Sequence, residues 1–120
     1  MNKHLVDTHE LAWAAGLFDG EGSAYYAVDP RYKVRYAQFF ITVAQSLNTD
    51  VLTRFKNAVS IGKVNGPYYQ GSARKPIYRY TCNGFEHSQY IVCLLWKYLS
   101  SPKKQQILNA LNGYHNRKQV

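Results

Sequence analysis

The amino-acid sequence predicts an α+β domain with the element order αββαββαα. In it one antiparallel sheet is covered by helices on a single face, and the other face is left open. Three observations carry this. Around residues 36–43, Ala37, Phe39, Ile41 and Val43 alternate with Tyr36, Gln38, Phe40 and Thr42, the period of a half-buried strand. Elsewhere apolar residues recur at helical spacing behind capping residues. The chain has 120 residues, 46% of them apolar, enough for one modest core and one domain over residues 1–120. It contains no linker, low-complexity tract or detectable repeat.

The elements follow in order. Asp7 or Thr8 can cap a first helix, with Glu10 completing a capping-box-like pattern. That helix is expected to reach about Phe18, where Gly20 and Gly22 end it. Residues 23–45 read as two strands around an Asp29-Pro30 turn. NTDVLTRFKNAV reads as a capped helix with Val51, Leu52, Phe55 and Val59 on one side. A second hairpin is expected from about Ile61 to Asn83, then a mostly apolar third helix from Phe85. Ser101 as cap and Pro102 at the first helical position start a fourth, with Ile107, Leu108, Leu111 and Tyr114 as its stripe.

Composition narrows the function. Fifteen Lys and Arg against seven Asp and Glu leave a net charge of +8, interleaved with eleven tyrosines. Such a surface fits an anionic polymer, and in blander terms solubility over a crowded small core. No apolar run is long enough for a membrane span, and no segment at the amino terminus reads as a signal peptide. Cys82 and Cys93 have no metal-ligand spacing and form no disulfide framework, so both read as reduced packing thiols of an intracellular protein.

The first helix carries two faces. At about 100° per residue, Leu11, Ala14, Ala15 and Phe18 form a core stripe. Ala12, Gly16 and Gly20 fall opposite, bordered by Trp13 and Leu17, where a surface helix would carry charge. A stripe of small residues suits either burial within the domain or close approach of a second copy across a two-fold axis. The helix then ends in LFDGEGS, which places Asp19 and Glu21 at the end where the helix dipole disfavours acids. A divalent cation such as Mg²⁺ would favour them, although a Gly- and Asp-rich turn accounts for the same residues. Lys103 and Lys104 are the mirror case, cations in the first turn of the last helix, suited to a phosphate or simply solvated. Metal-binding carboxylates, a cation near phosphate and a basic aromatic sheet are the parts phosphodiester hydrolysis needs.

AAGLFDGEGS, Ala14 to Ser23, resembles the signature of the LAGLIDADG homing endonucleases, and the order of elements after it resembles theirs across essentially the whole chain. Ala14 replaces the first leucine of the signature, and Glu21 stands at its final acidic position, usually aspartate. The resemblance implies roles residue by residue. Glu21 would be the metal ligand, with the Gly20 carbonyl facing the metal, and Asp19 would help hold the helix end. Gln45 would organise active-site water at the end of the second strand. Lys103 would stand near the scissile phosphate, with Lys104 close behind. The family's further basic residue after the strand-two glutamine has no counterpart in SLNTD.

A single motif implies a homodimer through Ala12, Trp13, Gly16 and Gly20. It also implies a saddle of two sheets in the DNA major groove, cutting both strands across the minor groove to leave 3′ overhangs. The partner would be a long pseudo-palindromic DNA duplex. Mg²⁺ would be the cofactor, with Mn²⁺ substituting and Ca²⁺ supporting binding alone. The setting would be intron or intein mobility, in a prokaryotic cytoplasm or an organelle matrix. Alternation then assigns the DNA face: Ser23, Tyr25 and Asp29, with Arg31 and Lys33 beyond; Tyr36, Gln38, Phe40 and Thr42; and Asn65, Tyr69, Lys75, Arg79 and Thr81. Two other classes compete. One is a nucleic-acid-binding module or intron maturase of the same fold without catalysis. The other is a small dimeric interaction protein whose charge is incidental.

Overall fold

The computed structural model describes residues 7–27, 38–46, 49–69 and 76–115; for residues 27 and 38–46 only the backbone is considered. The elements are α1 (Thr8–Glu21), β1 (Gly22–Ala27), β2 (Gln38–Ser46), α2 (Asp50–Val59), β3 (Lys63–Tyr68), β4 (Ile77–Cys82), α3 (Phe85–Leu95) and α4 (Ser101–His115). A 3-10 turn, Trp96–Tyr98, joins the last two. This is the expected αββαββαα order. The expected Asp29-Pro30 turn, with Arg31, Lys33, Tyr36 and Lys75, lies outside the described residues.

The four strands form one antiparallel sheet in the order β1-β2-β4-β3. Register fixes which residues share a face. Gly22, Val43, Tyr80 and Val64 lie in one cross-strand row, and Ser23, Thr42, Thr81 and Lys63 in the next. Tyr80 is fully buried and Ala24 is 3% exposed, whereas Tyr25 between Ala24 and Tyr26 is 45% exposed. The first row therefore faces the helices and the second faces outward, as a sheet with one covered face requires.

The covering layer is built from the predicted stripes. Leu11, Ala14, Ala15 and Phe18 of α1 are all buried, as are Leu52, Phe55 and Val59 of α2. The Phe55 ring meets Tyr80 edge-on at 4.8 Å between centroids. Each such large side chain contributes roughly 1.5–3 kcal/mol by leaving water. The Tyr80 hydroxyl donates to the Ile61 carbonyl at 2.6 Å, which satisfies its one polar atom inside the core. The same ring explains Gly62: with φ at 101° and the tyrosine lying where a Cβ would go, only glycine fits.

Several local expectations change. α1 continues through Gly20 to Glu21, because Gly22 supplies the terminating N–H to the Phe18 carbonyl. Asp7 does cap it, accepting from the N–H groups of His9 and Glu10, but Glu10 does not close a capping box. Its carboxylate instead takes two bonds from Arg54 of α2, at 2.9 and 2.7 Å. Thr49 at the start of α2 makes no side-chain cap bond. On α4 the buried residues are Ile107 and Ala110, and Leu108 is 41% exposed because it lies about 100° around from Ile107. Cys82 is buried, but Cys93 is exposed and so is not a packing thiol. Among the described residues no helix is long and apolar enough to cross a membrane.

Candidate active site at the end of the first helix

The end of α1, the start of β1 and the start of α4 converge. Asp19 turns sideways and accepts from the Ser100 backbone N–H at 3.1 Å and from the Ser100 hydroxyl at 2.9 Å. Ser100 immediately precedes α4 and caps it: the Lys104 N–H donates to its carbonyl at 3.0 Å and the Lys103 N–H to its hydroxyl at 3.5 Å. The cap is therefore Ser100 rather than the expected Ser101. A carboxylate at the wrong end of one helix is thus at the favourable end of another.

Glu21 behaves differently. It is the last residue of α1, is exposed, and has no hydrogen bond or ion pair with the other described residues. Around it lie the last carbonyls of the helix, which have no intrahelical partner. Among the described residues no cluster of three His, Cys, Asp or Glu side chains forms a metal site. One carboxylate beside helix-end carbonyls is nonetheless a set of hard oxygen donors of the type Mg²⁺ takes.

Lys103 faces the same corner. Its ammonium donates to the Gly22 carbonyl at 2.6 Å and to Gln106 Oε1 at 3.4 Å, and stands 5.3 Å from the centre of the Phe18 ring. A Cβ at Gly22 would overlap that ring, so glycine there lets Phe18 wall the site. Lys104 points along a different flank, with its ammonium 5.3 Å from the Trp96 ring centre. Gln45 lies on β2 two residues beyond Val43, the register partner of Gly22, so its backbone continues past the point where β1 starts.

The outward sheet face carries Ser23, Tyr25, Asn65, Arg79 and Thr81 of the expected binding residues. Ser23 and Thr81 share the row that includes Thr42; Tyr25 pairs with Phe40, and Arg79 with Ala44 and Asn65. Asn65 Nδ2 donates to Thr81 Oγ1 at 3.4 Å, and the Arg79 guanidinium stands 5.8 Å from the Tyr68 ring centre. Tyr69 is 63% exposed beside this face. Lys63, exposed and in the row with Thr81, was missed by the sequence reading. Its alternation with Asn65 along one strand was the available signal. Gln106 was also missed. It lies three residues after Lys103 on the same helix, a spacing at which side chains meet.

The exposed stripe on α1 is as expected: Ala12, Gly16 and Gly20 are exposed, and Trp13 and Leu17 half-buried. The Arg54 guanidinium lies over the Trp13 ring, 3.9 Å from its centre. A Cβ built at Gly16 or Gly20 would meet nothing within 4 Å. Among the described residues the stripe is thus open in a single copy rather than buried within its own domain.

No protein-family model matches the sequence, and no curated protein matches it either. Solved structures do. The chain is similar to the group I intron-encoded homing endonuclease I-CeuI complexed with DNA, at 14% identity and a TM-score of 0.72, covering 98% of this chain and 59% of that one. It is similar to the homing endonuclease I-CvuI in complex with a DNA target in the presence of Mg, at 21% identity and a TM-score of 0.68, covering 93% of this chain and 73% of that one. It is also similar to the LAGLIDADG meganuclease I-AabMI bound to uncleaved DNA, at 19% identity and a TM-score of 0.67, covering 95% of this chain but 38% of that one.

Proposed function

We propose, from the premise that this chain has the LAGLIDADG homing-endonuclease fold, that two copies of it form a site-specific, metal-dependent double-strand DNA endonuclease. The observation that carries the reading is Glu21: an exposed carboxylate at the electronegative end of α1, without a hydrogen bond or ion pair among the described residues, beside a stripe open to a second copy. Pairing two copies through Ala12, Trp13, Gly16 and Gly20 would bring two Glu21 residues toward one axis and join two outward sheet faces.

Glu21 and the Gly20 carbonyl would hold Mg²⁺, with Mn²⁺ able to substitute. The ion, when bound, would supply an activated water and neutralise charge on the phosphate. The chain's own residues do the rest. Lys103 offers a cation to the phosphate that gains charge as the bond breaks. Gln45 orients water. Asp19 does no chemistry; through Ser100 it sets α4, and with it Lys103, against the end of α1. Ser23, Tyr25, Asn65, Arg79, Thr81 and the newly assigned Lys63 present hydrogen-bonding and charged groups to the major groove, Arg79 suited to guanine and Lys63 to phosphate. Each copy would cut one strand across the minor groove of a long pseudo-palindromic site, leaving 3′ overhangs. The residues 1–120 would act as one domain, in the setting of intron or intein mobility.

Selecting cleavable sites from a randomised duplex library with Mg²⁺ tests the chemistry. Gly16→Leu tests the assembly. Because a Cβ at Gly16 meets nothing within 4 Å among the described residues, the variant should still fold yet sediment as a monomer and fail to cut. Folded Gly16→Leu dimers that cut at the wild-type rate would overturn the assigned interface.

A further inference from the structure

The amide oxygen of Gln106 does two things at once. It accepts the Ala24 backbone N–H at 3.0 Å, and it accepts from the Lys103 ammonium at 3.4 Å. Ala24 lies on β1, the edge strand along which α4 packs. The oxygen is therefore tied to the sheet rather than free on a flexible side chain. The ammonium has three donors. The Gly22 carbonyl takes one and Gln106 takes the second, with the Phe18 ring closing a further side. Among the described residues that leaves one donor for a phosphate oxygen.

We propose that Gln106 is a positioning residue: by bridging the Ala24 N–H and the Lys103 ammonium it fixes the lysine with one donor unspent and aimed outward. The inference rests on the endonuclease reading for its consequence, though not for its geometry. A neutral acceptor is what the task needs. A carboxylate in the same place would keep both hydrogen bonds but compete with the phosphate for the cation.

That difference separates positioning from mere edge-strand clamping. Gln106→Glu retains the acceptor for Ala24 and should melt at or above the wild-type temperature. Its single-turnover cleavage at saturating DNA should fall by about tenfold or more, because the lysine is paired with the new charge. Gln106→Leu should lose both melting temperature and rate. A second readout needs no cleavage: the slowly exchanging Lys103 ammonium signal of the DNA-free full-length protein, assigned by its absence in Lys103→Met. It should be present in the wild type and Gln106→Glu and vanish in Gln106→Leu. Wild-type cutting by Gln106→Glu would overturn the proposal and leave Gln106 as a clamp. If the wild type cuts no duplex, the endonuclease reading fails by itself, and the ammonium signal decides: its survival in Gln106→Leu overturns the positioning role, its loss supports it.

Discussion

The two ends of α1 each carry a pair of acids, and the pairs differ in what they find there. At the start, Asp7 and Glu10 are where the helix dipole favours them. Asp7 caps two N–H groups, and Glu10 is clasped by Arg54, which in turn lies over Trp13. At the finish, Asp19 and Glu21 oppose the dipole. Asp19 escapes by reaching the N-terminus of α4, while Glu21 finds no partner among the described residues. A carboxylate held by its neighbours is architecture. One that stays opposed to its dipole, exposed and without a partner among the described residues, is the one the proposed function assigns to a cation.

The largest expected effect follows from that contrast. Glu21→Gln should abolish Mg²⁺-dependent cleavage, with a loss of at least about 10²-fold. Binding in Ca²⁺ should be largely intact, and stability should change by no more than about 0.5 kcal/mol, as for a surface substitution without partners. Melting, binding and cleavage of the one variant read all three. Full cleavage by Glu21→Gln would remove the glutamate from the site and make the two ends of the helix equivalent.

Next comes the cation at the same corner. Lys103→Met should lose roughly 10²-fold in single-turnover rate at saturating DNA while affinity changes little. Lys104→Met should do the opposite, weakening binding and lowering the salt slope by about one unit. The ammonium positions support the split, one on the Gly22 carbonyl and one over Trp96. Equal effects of both variants on rate would show that the corner acts through general charge.

How far all this was legible follows from what is local. The element order, the α1 stripes, the Asp7 cap and the inward and outward alternation of β1 depend on spacing along the chain, and spacing is what a sequence displays. Three of the differences involve partners distant in sequence. Glu10 has a nearby box to close, but Arg54, 44 residues away, offers two charged hydrogen bonds. Ser100 and Ser101 are indistinguishable as caps until Asp19, 81 residues away, selects the first. Gln106 reads as one more polar residue of α4 until β1 brings Ala24 to it. The charge misplacement itself was legible at both acids, but not which of the two the fold had already satisfied.

A smaller effect tests that last distinction. Asp19→Ala should cost about 1 kcal/mol, the usual loss for a helix cap, since Ser100 keeps its water-accessible N–H. Cleavage should fall with the stability of the α4 junction, and lowering the temperature should recover part of it. A variant that melts like the wild type yet has lost all cleavage would place Asp19 beside Glu21 at the metal and dissolve the contrast between them.

The smallest effect belongs to the other end of the helix. The Arg54 guanidinium holds the Glu10 carboxyl below its ordinary range, chiefly through the hydrogen bonds it donates. A carboxyl whose pKa is lowered on folding contributes stability that is present above its unfolded pKa and is lost as pH falls through the folded one. Glu10→Gln should therefore melt slightly below the wild type at neutral pH, and the gap should close on acidification below the ordinary glutamate range, about pH 4.3. The pair is exposed, so salt should shrink the gap as well. Cleavage should change little, because Glu10 makes no contact with the far end of α1 among the described residues and reaches the proposed interface only through Arg54 over Trp13. A gap that persists at low pH would mean the glutamate acts through packing against Trp13 and Arg54 instead of through its charge. A lost cleavage rate would mean the two ends of α1 are not the separate regions their hydrogen bonds describe.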